Sequence, residues 1–140
     1  MTNLSNVELF RVYAGTTFAV LYETFPLSCQ LNAEQIIDHC KLADDEDSRA
    51  QHLHLIEATW RWLEKTDYLD HNQNNGAYNL TPRSFEGLTF LDDADSGLCR
   101  GDKLRQLTQK VGGATAIESI AEIVSELLGS GAKAAYAFLA

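Results

Sequence analysis

The chain has 140 residues, of which 45% are hydrophobic and 22% charged, a composition that suits one ordinary globular domain with its own core. Its 11 Lys and Arg oppose 20 Asp and Glu, so the net charge of -9 excludes a generally basic, phosphate-binding surface but leaves a local basic patch possible. The longest apolar run, Ala134–Ala140, has seven residues. Because a spanning helix needs about 20, we expect no transmembrane segment.

The sequence also predicts a cytoplasmic location. The first ten residues, MTNLSNVELF, contain no basic region followed by an apolar stretch, so we expect no secretory signal. The three cysteines, Cys29, Cys40 and Cys99, are odd in number and have no CxxC spacing. This pattern is typical of reduced thiols rather than of a disulfide framework.

The first predicted helix covers residues 6–24. Ser5 and Glu8 have the spacing of a capping box, and Pro26 ends the helical pattern. Between them, residues at steps of three and four predict one buried stripe: Val7, Phe10, Ala14, Thr17, Leu21 and Phe25.

Two more helices are expected before the chain becomes extended. Residues 27–31 suit a turn or a brief extended piece, and Asn32 is a good N-cap for a second helix that ends near Ala43. The acidic run Asp44–Asp47 then caps a third helix, because carboxylates interact favourably with a helix N-terminus. That helix ends near Thr66, and its predicted core residues are Leu53, Ile56, Trp60 and Leu63.

A β-hairpin follows the third helix. Tyr68 and Leu69 begin one strand, and Tyr78 and Leu80 alternate on another. The polar segment between them contains Asn75-Gly76, a dipeptide that tolerates the positive φ angles of a tight turn.

The chain then returns to helices. Thr81 as N-cap and Pro82 at the first helical position predict a fourth helix, with an apolar side of Phe85, Leu88 and Leu91. Residues 92–101, with three acids and two glycines, are interpreted as a linker. A short helix with Leu104 and Leu107 is expected before the junction Gly112-Gly113.

The last predicted helix, about residues 114–128, ends at Gly129 and has an acidic face and a broad apolar face. The apolar face consists of Ile117, Ile120, Ala121, Val124, Leu127 and Leu128. Since a large apolar face is seldom left exposed, we predict that it mediates association, most simply as a homodimer. The alternative is docking on the first helix of the same chain, and the glutamates of the acidic face argue against a membrane surface.

Three helices followed by a hairpin resemble a winged-helix domain. The stretch YLDHNQNNGAYNLTPRSFEGL is similar to the family's exit from the second wing strand, a Tyr-x-Leu-Thr-x-x-Gly-like segment. Ser84 stands where the family usually has Gly, and the matched residues are Tyr78, Leu80, Thr81 and Pro82. The resemblance covers about residues 5–92. Over most of the chain, the Gly112-Gly113 junction and the terminal helix resemble small bacterial and phage-associated winged-helix proteins of unknown function.

This resemblance implies a mainly α fold with a small β-hairpin. Residues 1–92 would form the winged-helix domain, and residues 93–140 a linker and a C-terminal helical extension that packs on it or on a partner. The resemblance to the smaller group implies no activity.

Winged-helix domains usually bind DNA, but the charge of the corresponding segment opposes it. Residues 31–70 contain ten acids and four bases, and residues 70–77 of the hairpin contain no Lys or Arg. Carboxylates at the start of the third helix would lie close to the DNA phosphates and repel them. A local DNA contact is still possible through Arg49, Arg61 and Lys65; the alternative is that these charges solvate a helix face.

The residue types for catalytic and metal chemistry are present, but the spacings that such sites need are not. Cys29, His39, Cys40, His52 and His54 are suitable types for zinc, but they contain no close ligand pair, and His52 and His54 are about 200° apart on a helix. No nucleophile elbow, phosphate loop or dinucleotide fingerprint occurs. We therefore assign no catalytic residue, no metal and no cofactor.

The sequence thus favours a small regulatory or protein-interaction module over an enzyme. Its expected contacts are the terminal helix, through Ile117, Ile120, Val124, Leu127 and Leu128, and Trp62, which faces away from Trp60. A DNA-binding transcriptional regulator is the alternative.

Overall fold

The computed structural model describes residues 4–93, 97–109 and 114–139, with side chains for 4–91, 97–109 and 116–129. These ranges form helices and two small antiparallel hairpins, which confirms a mainly α fold with a small β-hairpin. The helices are α1 (Asn6–Thr24), α2 (Ala33–Cys40), α3 (Glu46–Lys65), α4 (Pro82–Thr89), α5 (Arg100–Thr108) and α6 (Ala114–Leu139). The strands are β1 (Leu69–His71), β2 (Tyr78–Leu80), β3 (Leu91–Asp93) and β4 (Leu98–Cys99).

Side-chain caps set the starts of the first helices. Ser5 and Glu8 form both hydrogen bonds of the capping box of α1. The side chain of Asn32 accepts hydrogen bonds from two backbone amides of α2, and Asp45 accepts one from the amide of Ser48 in α3. Helix α2 ends earlier than predicted because Lys41 adopts a left-handed conformation, with φ of 54°.

The first hairpin lies where the sequence predicts it. Strands β1 and β2 pair antiparallel, with Leu69 opposite Leu80 and His71 opposite Tyr78. On the other side of β2, Tyr78 exchanges two backbone hydrogen bonds, each 2.8 Å long, with Cys29. The short extended piece after α1 therefore joins the hairpin and ties it to the beginning of the chain.

The segment interpreted as a linker is instead ordered structure in part. Leu91 does not lie on α4 but begins β3, where it is half exposed, and β3 pairs with β4. Helix α5 begins directly after β4, at Arg100. A Cβ on Gly101 would lie 2.7 Å from the ring of Tyr22, so this glycine allows α5 to approach α1 closely. The acids and glycines suggested flexibility, whereas strand pairing and this close contact hold residues 91–93 and 98–101 in the fold.

The apolar face of α6 lies in the core of its own chain. Ile117, Ile120, Val124 and Leu127 are buried in one cluster with residues of α1, and Leu128 is partly buried against it. These side chains therefore pack on α1 of the same chain, which is the alternative that the sequence left open, and they do not form an exposed binding face. The cluster also spans the predicted domain boundary at residue 92. Helix α6 continues past Gly129, where the sequence predicted its end, to Leu139, and Gly112-Gly113 lies outside the described residues.

Gly15 determines how closely α1 and α6 approach. A Cβ at this position would lie 2.6 Å from Cγ2 of Ile120 and 3.0 Å from Cγ2 of Val124. The substitution Gly15→Ala should therefore lower the free energy of unfolding by roughly 1–3 kcal/mol, because overpacking outweighs the better helix propensity of alanine. Urea denaturation measures this loss.

Gly129→Ala provides the matched control within α6. A Cβ there meets no atom of the described chain within 4 Å, so the change should raise stability by up to about 1 kcal/mol. If both variants shift stability in the same direction, the close approach at Gly15 does not limit the packing.

Trp60 is one of the aromatic residues that join α3 to α1. It is buried, and its Nε1 donates a 2.9 Å hydrogen bond to Oγ1 of Thr17. Trp60→Ala should cost roughly 3–5 kcal/mol of unfolding free energy, measured by chemical denaturation. Trp62→Ala, two positions away and 44% exposed, should cost clearly less. Equal losses would contradict this placement.

Candidate functional site

Helix α3 presents one face to the core and the other to solvent. Its buried residues are His52, Ile56, Thr59, Trp60 and Leu63. Arg61, Trp62 and Lys65 are exposed near its C-terminal end, and Glu46 and Asp47 are exposed in its first turn. The exposed face is therefore acidic at its beginning and basic at its end.

Arg49, the first predicted DNA contact, is engaged within the protein. Its Nη1 donates a 2.8 Å hydrogen bond to Oδ1 of Asp38, and its Nη2 lies 4.0 Å from Oε2 of Glu34. The hydrogen bond to Asp38 raises the pKa of Arg49 above its ordinary value. This side chain connects α3 to α2, and a DNA phosphate would have to compete with two carboxylates for it.

Arg61 and Lys65 are the two exposed basic residues of the predicted DNA contact. They lie four positions apart, on the same side of α3. Glu57 precedes Arg61 by one turn, and Glu64 lies 3.9 Å from Nδ1 of His71 on the hairpin. Two cations among acidic neighbours give a small basic area rather than a positive surface along the helix.

An apolar patch lies beside this basic area, and we call Val7, Phe10 and Trp62 the Trp62 patch. The rings of Phe10 and Trp62 meet edge to face with centroids 5.3 Å apart, and Val7 is on the same side of α1 as Phe10, three positions before it. Val7 is 56% exposed and Trp62 44% exposed. The sequence placed Val7 in the buried stripe of α1, and the structure corrects this: at the start of α1 Leu9 faces the core, and Val7 faces solvent.

The candidate metal and nucleophile residues are separated or buried. The Tyr13 hydroxyl hydrogen-bonds to Nδ1 of His52, and Oγ1 of Thr16 lies 3.5 Å from Sγ of Cys40. Burial raises the pKa of the Cys40 thiol, which disfavours the reactive thiolate. Where side chains are described, no three His, Cys, Asp or Glu residues are grouped closely enough to hold a metal ion.

No described helix has both the length and the apolar character needed to cross a lipid bilayer. In comparisons with protein-family models, curated protein sequences and solved structures, no match to this chain was found.

The pair of Tyr13 and His52 predicts a pH dependence of stability. Burial lowers the pKa of His52 below its ordinary value of 6.5, against a smaller opposing effect of Asp44. The unfolded chain therefore binds this proton at a higher pH than the folded chain does. The stabilising contribution is complete above about pH 6.5 and decreases as the pH falls below it.

Unfolding free energies measured between pH 7.5 and 5 should show this decrease, and His52→Gln should reduce it. His54→Gln is the matched control, because His54 is exposed on the same helix. An unaltered slope in the His52 variant would assign the pH dependence to other groups.

Proposed function

We propose that this protein is a winged-helix interaction module that binds a protein partner through the Trp62 patch. The order of the elements supports the winged-helix part of this proposal: α1, an extended piece at Cys29, α2, α3 and the hairpin of β1 and β2 follow one another along the chain. Strand β2 lies between Cys29 and β1.

The observation that carries the proposal is the exposure of the Trp62 patch. The ring of Trp62 packs on Phe10, and Val7 lies one turn before Phe10 on α1. Trp62 and Val7 remain about half exposed, and exposed apolar side chains of this kind are typical of the centre of a protein interface. Arg61 and Lys65 lie next to Trp62 and provide a basic rim. The partner that fits is a protein with an apolar side chain for the patch and acidic residues around it.

The proposal includes a cytoplasmic location. Cys29, Cys40 and Cys99 are free thiols in the structure, as is usual in a reducing compartment.

DNA binding is the second candidate function, and the exposure of Arg61 and Lys65 is the observation that favours it. Two phosphate contacts supply little non-specific affinity, and the carboxylates at the start of α3 repel the phosphate backbone of DNA. We therefore rank it below protein binding.

A photo-crosslinking experiment tests the proposal. Trp62→p-benzoylphenylalanine, expressed in the source cells, should give a discrete adduct with one protein, because this position lies in the patch. Glu86→p-benzoylphenylalanine is the control, since Glu86 is exposed on α4. Adding Val7→Asp should abolish the adduct at position 62 and keep the fold, because an acidic residue is favourable in the first turn of a helix.

The result that overturns the proposal is the absence of an adduct at position 62, or the same adducts at both positions. Fluorescence anisotropy with a random DNA duplex at low salt tests the alternative, and we expect no binding at high micromolar protein. Salt-sensitive binding that the double variant Arg61→Gln and Lys65→Gln removes would favour the DNA-binding function instead.

A further inference from the structure

A cavity of about 330 Å³ lies between α1, α2 and α5, separate from the Trp62 patch. Ala19, Val20 and Ile36 form an aliphatic wall. His39 and Thr108 are on the α2 and α5 sides, and the imidazole Nε2 of His39 hydrogen-bonds to the carbonyl oxygen of Thr108. This bond connects two helices that border the cavity, so the space is formed without a ligand.

Arg105 lines this cavity, and its side chain is 40% exposed. Its Nε is buried and has no hydrogen-bond partner among the described residues. Its Nη2 lies 3.8 Å from Oε1 of Glu23, a distance too long for a good hydrogen bond. Because a ligand cannot reach the buried Nε, the Nη groups are the part of this guanidinium that has capacity for a further anionic acceptor.

We propose that the cavity binds a small molecule that carries a carboxylate on an aliphatic body. The carboxylate would accept hydrogen bonds from Nη1 and Nη2 of Arg105 in the forked geometry that a guanidinium offers. The aliphatic body would lie along Ala19, Val20 and Ile36. A space of 330 Å³ holds about ten non-hydrogen atoms, at roughly 30 Å³ for a water-sized group.

Glu23 opposes this ligand and controls its affinity. Its side chain is 66% exposed, so it can turn into solvent when a ligand carboxylate occupies Arg105. It nevertheless repels a bound anion, which gives the site one residue that favours binding and one that weakens it. Variants at the two positions should therefore change the affinity in opposite directions.

Titration of the full chain with octanoate, followed by ¹⁵N NMR, tests this site. Octanoate has about the size that the cavity holds, and we expect saturable shifts of the Arg105 Nε–H signal and of the Val20 and Ile36 amides, with a dissociation constant of ~mM. Arg105→Gln should weaken binding about tenfold or more, because it removes the charged fork. Glu23→Gln should strengthen it several-fold, and Arg61→Gln, on the exposed face of α3, should not change it.

Two further probes separate the parts of the ligand. Acetate should bind much more weakly than octanoate because it lacks the aliphatic body, and 1-octanol should bind more weakly because it lacks the carboxylate. Equal binding of 1-octanol, equal binding by the Arg105→Gln variant, or no shift at Arg105 would each overturn the proposal. The amide spectrum of every variant shows whether it remains folded.

Discussion

The structure depends on the burial of α1 on almost every side. From Val12 to Ala19 eight consecutive residues of this helix are buried, so it is a central element rather than a surface helix with one apolar stripe. Such a position requires small residues where neighbours approach, and Ala14, Gly15 and Thr16 meet that requirement. Two side-chain hydrogen bonds then join α1 to α3, one from Trp60 to Thr17 and one between Tyr13 and His52.

Sequence reasoning succeeded where local chemistry determines the structure. The caps at Ser5, Asn32 and Thr81 act within three or four residues, and all three are present in the structure. It failed where the partner is distant in the chain. The pairing of β3 with β4 and the contact of Gly101 with Tyr22 depend on the folded chain, so the described parts of residues 92–101 were wrongly interpreted as a linker.

The candidate sites show the same division. The exposure of Trp62 follows from its position on α3 relative to Trp60, and the structure places it there. Arg49 pairs with Asp38 and Glu34 because α2 packs on α3. The local sequence pattern does not show this packing, so the pairing could not be predicted. The cavity was missed for the same reason. Glu23 and Arg105 are far apart in the chain and meet because α5 packs on α1.

The central position of α1 also relates the two surfaces. Phe10 belongs to the Trp62 patch and Glu23 to the cavity, and both are on α1, about 20 Å apart along its axis at 1.5 Å per residue. The hydrogen bonds of Tyr13 and Thr17 lie between Phe10 and Glu23 along the helix, and they hold α1 in position against α3. Because α1 carries residues of both surfaces, a substitution that shifts α1 against α3 would displace Phe10 and Glu23 together.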